Sequence, residues 1–301
     1  MKYYQWLLGR ILNKSFGLWE RLGIHIVPNH FYQPIPDVGH LDDRLWETPS
    51  ALIGIDKGEQ SQVALLSRLQ EGYKSEYDQF PASKTDIPYE YFVNNGGFES
   101  VDGEILYCII RYFKPRRIIE IGSGNSTYLS ALAIQKNKEE DREYTCELTA
   151  IEPYPNKVLR AGFPNLSRLI KEPVQNIPLS VFERLGENDI LFIDSSHVLK
   201  AGSDVQYEYN EILPRLNKGV LIHIHDIFLP FEYPKKWICQ HHLFWTEQYL
   251  LQAFLTYNPT IKVIWAGYYM HRNHPELLEK AFKTYNRERI EPGSFWMRKV
   301  L

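Results

Sequence analysis

Arg117-Ile118-Ile119-Glu120-Ile121-Gly122-Ser123-Gly124-Asn125-Ser126-Thr127 is an apolar strand run that meets a glycine turn and continues as a helix. That order belongs to α/β sheets, where a strand hands its ligand to the start of the next helix. Gly122 and Gly124 can take φ > 0 and admit a ligand close to the backbone, and Ser126 and Thr127 can cap the helix. A dinucleotide fingerprint needs a third glycine where Thr127 stands, and an acid about 20 residues on. The next acid that ends a strand is Glu152, in Leu148-Thr149-Ala150-Ile151-Glu152, which lies well beyond that spacing.

The alternation continues down the chain. A short apolar run at Leu169-Ile170 is followed by Asp189-Ile190-Leu191-Phe192-Ile193-Asp194 and then by Gly219-Val220-Leu221-Ile222-His223-Ile224-His225-Asp226, with helix-length stretches between them. The pattern predicts a doubly wound, Rossmann-like α/β sheet. Ligands of such sheets bind beyond the carboxyl ends of the strands, where strand order reverses. Glu120, Glu152, Asp194 and Asp226 are therefore expected along one edge.

Glu120 to Thr127, Ile151-Glu-Pro-Tyr-Pro155, Phe192-Ile-Asp-Ser-Ser-His197 and His225-Asp-Ile-Phe-Leu-Pro230 together resemble the class I S-adenosylmethionine-dependent methyltransferases, and within them the group called methyltransferase family 24. The resemblance covers residues 100 to 300. It implies a seven-stranded sheet whose last strand is antiparallel, for which Ser294 to Val300 is the candidate. It also implies that Gly122, Ser123 and Gly124 line the methionine part of S-adenosylmethionine, that Glu152 holds the ribose hydroxyls, and that Gln175 or Asn176 borders the adenine. Glu120, Ser126, Thr127 and Asp194 complete the expected cofactor-binding set.

The chain is long enough for one decorated domain, and the reading divides it into an N-terminal extension, residues 1–98, and a methyltransferase domain, residues 99–301. A formal net charge of −3, without a clustered basic face, excludes nucleic acid as the expected partner. Cys108, Cys146 and Cys239 form no paired motif, so neither a disulfide framework nor a zinc site is expected, and a reducing cytoplasm fits. No run reaches the roughly 20 apolar residues of a membrane span, and the first residues lack a signal-peptide cleavage site.

Trp6, Leu7, Leu8, Ile11, Leu12, Phe16 and Trp19 alternate with Lys2, Arg10, Lys14 and Arg21, the pattern of an amphipathic helix with a basic face. It reads either as a helix packed on its own or a neighbouring subunit, in a homo-oligomer, or as a peripheral anchor on the inner face of a membrane. Gly23 to Asp37 is a proline-broken arm, Gln60 to Phe80 a second helix, and Asp102 to Phe113 the helix that leads into the first strand.

Methyl transfer to oxygen or nitrogen needs a nucleophile in line with the donor and a group to take its proton. The strand ends supply Asp194 and His197 after the fourth strand, and His225 and Asp226 after the fifth. His197 is the leading candidate base and His225 the second, while His223 reads as a core residue. Relatives that act on sugar hydroxyls hold a divalent ion with an aspartate after the fourth strand and an acid pair after the fifth. Here the candidate ligands are Asp194, His225 and Asp226, and the histidine disfavours magnesium. A metal-free base is preferred. Ile227 to Tyr249, rich in aromatic residues, is the expected lid and acceptor pocket, with Glu247 and Gln248 as ordinary first-turn residues of a helix and Glu247 within reach of an acceptor hydroxyl as the alternative. The expected acceptor is a saccharide or another hydroxylated small molecule. An NAD(P)-dependent oxidoreductase and a noncatalytic scaffold are the alternatives.

Overall fold

The structure is a computed structural model that describes residues 3–301; the side chains of residues 3–10 and of Asn13, and with them the expected roles of Lys2, Trp6, Leu7, Leu8 and Arg10, lie outside the described residues. The described chain forms two compact units. One holds the residues up to Thr48 together with Glu232–Phe244, and the other holds Pro49–Phe231 and Trp245–Leu301.

In the smaller unit a helix runs from Tyr3 to Arg21, the first stretch of the expected amphipathic pattern, and the arm that follows is irregular. Trp46 Nε1 donates to the Tyr233 carbonyl at 3.0 Å, and Lys235 Nζ reaches Asp43 at 2.6 Å, so the two chain segments of this unit are tied to each other.

The larger unit is built on one seven-stranded sheet: β1 (Arg117–Ile121), β2 (Glu147–Ile151), β3 (Leu166–Ile170), β4 (Ile190–Ile193), β5 (Leu221–Ile224), β6 (Ile261–Ala266) and β7 (Phe295–Lys299). The order is β3-β2-β1-β4-β5-β7-β6, with β7 antiparallel to both of its neighbours. This is the expected α/β architecture, with the closing strand where the sequence places it. β4 and β5 are buried at every residue and β1 at all but its first, so both sheet faces are covered. β3 is a half-exposed edge, with Ser167 and Arg168 facing solvent, which is why only Leu169-Ile170 stood out as an apolar run. The helix Asp102–Phe113 has the expected bounds, and the preceding long helix runs Glu59–Tyr77.

Two features aim the sheet at a site. Strand order reverses between β1 and β4, which opens a crevice at their carboxyl ends. Register then levels the strand ends: Ile121 pairs with both Ile151 and Ile193, and Ile193 pairs with Ile224. The next residues, Gly122, Glu152, Asp194 and His225, consequently leave the sheet at one height. From β7's start, Gly293 N and Ser294 N each donate to the Asp102 carboxylate at 2.9 Å, which anchors the first turn of Asp102–Phe113 beside the same edge.

Candidate functional site

A cleft of ≈ 380 Å³ opens at the switch point, lined among others by Gly122, Glu152, Gln175, Asp194, Ser195 and Asp204. Gly122 sits at φ 77°, and a Cβ there would lie 1.8 Å from the Asp194 carbonyl oxygen, so only glycine lets the β1 turn pass β4. At Gly124 a Cβ would meet nothing within 4 Å, which leaves open space where the turn enters the helix Asn125–Glu140. Glu152 closes one side: its carboxylate accepts from Ser123 N at 3.3 Å and from Tyr154 N at 2.7 Å.

Beneath this turn Glu120 is buried, and its Oε1 accepts the Ser126 hydroxyl at 2.5 Å and the Thr127 hydroxyl at 3.1 Å. Thr127 Oγ1 also takes the Gly124 N–H at 3.0 Å. Ser126 and Thr127 are thus buried supports of the turn rather than cleft-lining groups. Glu120 Oε2 and the Ser123 hydroxyl have no hydrogen-bond partner among the described residues. Burial, against the pull of the two hydroxyls and helped by the Asp194 and Glu152 charges, pushes the Glu120 carboxyl up to about 8. Gln175 is in the cleft, its amide donating to Gly202 O at 3.0 Å, whereas Asn176 is exposed, binds Glu172, and does not line it.

Deeper along the edge is a second cluster. Alternation along β5 places His223 and His225 on one face and Asp226 on the other only while the strand lasts, and the strand ends at Ile224. Asp226 then turns to φ 56°, which brings its carboxylate back beside His225, with Asp226 Oδ1 3.5 Å from His225 Nδ1. His197, also left-handed at φ 60°, folds back after β4. Its Nε2 lies 3.3 Å from Asp194 Oδ1 and 3.4 Å from Asp226 Oδ2, while its Nδ1 is 2.8 Å from Glu247 Oε2. The Trp245 ring lies 4.4 Å from the His197 ring. His223 is a core residue, stacked on Phe192 and bonded through Nε2 to Ser294 at 2.9 Å.

The charges fix the protonation of this cluster. Burial drives the His197 imidazole down, but the bonds to Asp194 and Glu247 and the Asp226 charge outweigh it and push the pKa up to about 10. His225 is likewise held well above its ordinary value: burial opposes the charge, and Asp226, Asp194 and Asp102 restore it. Asp194 responds in the opposite sense, its burial overcome by the two imidazolium neighbours.

Donor atoms of Asp194, His197 and Asp226 lie within 4.8 Å of one another, a grouping able to hold a metal ion. The sequence reading put His225 in that trio. In the structure His197 takes that place, and His225 Nε2 turns toward Asp102, at 3.4 Å. The sequence reading missed the place of two further acids. Glu247, read as a first-turn residue that could reach an acceptor hydroxyl, is instead fully buried against His197. Glu208, fully buried on a π-helical turn (Glu208–Ile212), accepts the Ser195 hydroxyl at 3.1 Å. π turns concentrate at functional sites, but nothing in a sequence marks one.

Residues 119–227 match the family model described as a methyltransferase domain. A protein of Archaeoglobus fulgidus, described as uncharacterized, is 35% identical over 187 residues, which is 60% of this chain and 82% of the relative. An O-methyltransferase from Bacillus cereus, solved in complex with SAH, aligns over 79% of this chain and 91% of its own at 14% identity, with a TM-score of 0.35. The glycine turn, the strand order with an antiparallel seventh strand and the matched family model identify a class I S-adenosylmethionine-dependent methyltransferase domain within this chain.

Proposed function

We propose that this methyltransferase binds S-adenosylmethionine in the switch-point cleft and methylates a hydroxyl of a small molecule, with a saccharide as the preferred class. The observation that carries the cofactor assignment is the charge of the cleft. Glu152, Asp194 and Asp204 line it, Glu120 sits beneath, and among the lining residues there is no lysine or arginine. Such a site suits a sulfonium cofactor and repels the pyrophosphate of NAD(P), which disfavours an oxidoreductase. The unpartnered Glu120 Oε2 and Ser123 hydroxyl and the open space at Gly124 fit the methionine end, and Glu152 would take the ribose hydroxyls. When bound, the cofactor supplies the electrophilic methyl group.

The chain's own residues must orient the acceptor and dispose of its proton. Ser195, Ser196 and Asp204 give the cleft wall hydroxyl and carboxylate groups, and the Trp245 ring beside His197 suits the apolar face of a sugar. The saccharide preference itself rests on the resemblance to sugar-modifying relatives.

His197, bridged between Asp194 and Asp226, is the centre of proton handling in this reading. With its pKa at about 10 it is an acid, not a base, at neutral pH. A divalent cation in place of that proton would satisfy the same carboxylates. Asp194, His197 and Asp226 fit one, and Glu247 keeps the proton on Nδ1 so that Nε2 is free to coordinate. Such an ion would supply positive charge that lowers the pKa of a nearby hydroxyl.

The test is a screen of hydroxylated acceptors with methyl-labelled cofactor, across pH and with or without chelator. Transfer to oxygen is expected. In either protonation scheme activity should rise with pH, because the imidazole must lose its proton. Loss of activity in chelator, with recovery in manganese, supports the cation-loaded cluster. Chelator-insensitive turnover that climbs toward pH 10 assigns the base to bare His197. Absence of transfer to every hydroxylated acceptor contradicts the acceptor assignment.

A further inference from the structure

The methyltransferase reading leaves one surface unused. On the helix Tyr3–Arg21, Ile11 and Leu18 are 54% and 60% exposed, and the same stripe continues to Leu22 at 63% in the turn that ends the helix. Spacings of seven and eleven residues return to one face of a helix. Beyond it the arm presents Ile24, Phe31, Tyr32 and Ile35, with Phe31 and Tyr32 the most exposed at 81% and 82%, their rings 4.4 Å apart. An aromatic pair this exposed costs free energy in water and marks an interaction surface.

The charge around the surface names the partner. Residues 1–25 carry four basic side chains, Lys2, Arg10, Lys14 and Arg21, against one acid, Glu20, although the chain as a whole is at −3. Lys14 and Arg21 are exposed beside the Ile11–Leu18–Leu22 stripe. Apolar side chains with interleaved cations complement an anionic lipid surface: the cations meet headgroups, and the leucines and aromatic rings enter the acyl boundary. No helix among the described residues is long and apolar enough to cross a membrane.

We infer that the helix Tyr3–Arg21 and the arm bearing Phe31 and Tyr32 form a peripheral docking surface for an anionic bilayer. The inference is independent of which acceptor is methylated.

The experiment is co-sedimentation of the full chain with vesicles of phosphatidylglycerol and phosphatidylcholine, and with vesicles of phosphatidylcholine alone. Binding is expected to the anionic vesicles only, and it should weaken with added salt. The double variant Lys14→Gln/Arg21→Gln should bind about tenfold more weakly or worse, since each basic residue near such a surface contributes. Phe31→Ser/Tyr32→Ser should also lose binding. Both variants should keep their affinity for S-adenosylmethionine, which shows that the larger unit is intact. Equal retention on both vesicle types, or binding indifferent to both variants, overturns the inference. So does a self-associated chain that Phe31→Ser/Tyr32→Ser converts to monomer, which would assign the surface to a second copy.

Discussion

Asp226→Asn is expected to lower kcat by roughly 10²- to 10⁴-fold, the range for loss of a group that serves proton transfer, with unchanged affinity for S-adenosylmethionine. The substitution is chosen for the backbone. Asp226 sits at φ 56°, and asparagine is the side chain that best tolerates the left-handed region. A bulkier change would strain the turn, because Gly293 packs so closely that a Cβ there would lie 3.0 Å from Asp226 Cα. Asp226 does not line the switch-point cleft, so binding and turnover should separate. A variant that loses both in proportion would show a structural role, and one with full turnover would remove Asp226 from the chemistry.

Glu247→Ala should produce the largest loss of stability, about 3–5 kcal/mol, because it deletes one partner of a buried charged pair. Glu247 is fully buried and holds His197 Nδ1 at 2.8 Å, so truncation strips the imidazolium of its closest partner. Glu247→Gln keeps an acceptor without the charge and should cost less. The pH dependence distinguishes charge from packing. The folded-state pKa of His197 is raised from 6.5 to about 10, so its contribution is complete below pH 6.5 and is lost as the pH climbs through 10. Denaturant unfolding in chelator should therefore show wild-type stability falling across that window, less steeply in Glu247→Gln. Identical slopes would mean that the pair does not carry the charge.

How much of this was legible in the sequence depends on the range of the interaction. The β1 glycine turn, the acid after β2 and the Asp194–His197 and His225–Asp226 pairs follow from apolar runs and their ends, which are local signals. Their meeting also follows, because parallel strands in register finish at one level, as Ile121, Ile151 and Ile193 do. β6 was not individually placed: Lys262 interrupts its apolar run and no acid ends it. Alternation along β5 would set His225 and Asp226 on opposite faces only if the strand reached them; it ends at Ile224, and the left-handed turn at Asp226 brings the two side chains together. Glu247 lies 50 residues from His197, and its first-turn position gave no hint that it would be buried. Ser126 and Thr127 were read as caps of a ligand-facing helix, whereas their hydroxyls are committed to Glu120, itself hidden in the strand pattern as an apparent interruption of an apolar run.

The central claim is that the acid-lined cleft at the β1–β4 switch point is an S-adenosylmethionine site, and calorimetric titration tests it most directly. Wild-type protein should bind S-adenosylmethionine and its demethylated product and show no heat with NADH. Glu152→Ala should weaken that binding at least tenfold, since a hydrogen bond to a charged group contributes about 1.5–3 kcal/mol. Binding of NADH in place of S-adenosylmethionine, or unchanged affinity in a folded Glu152→Ala protein, would contradict it.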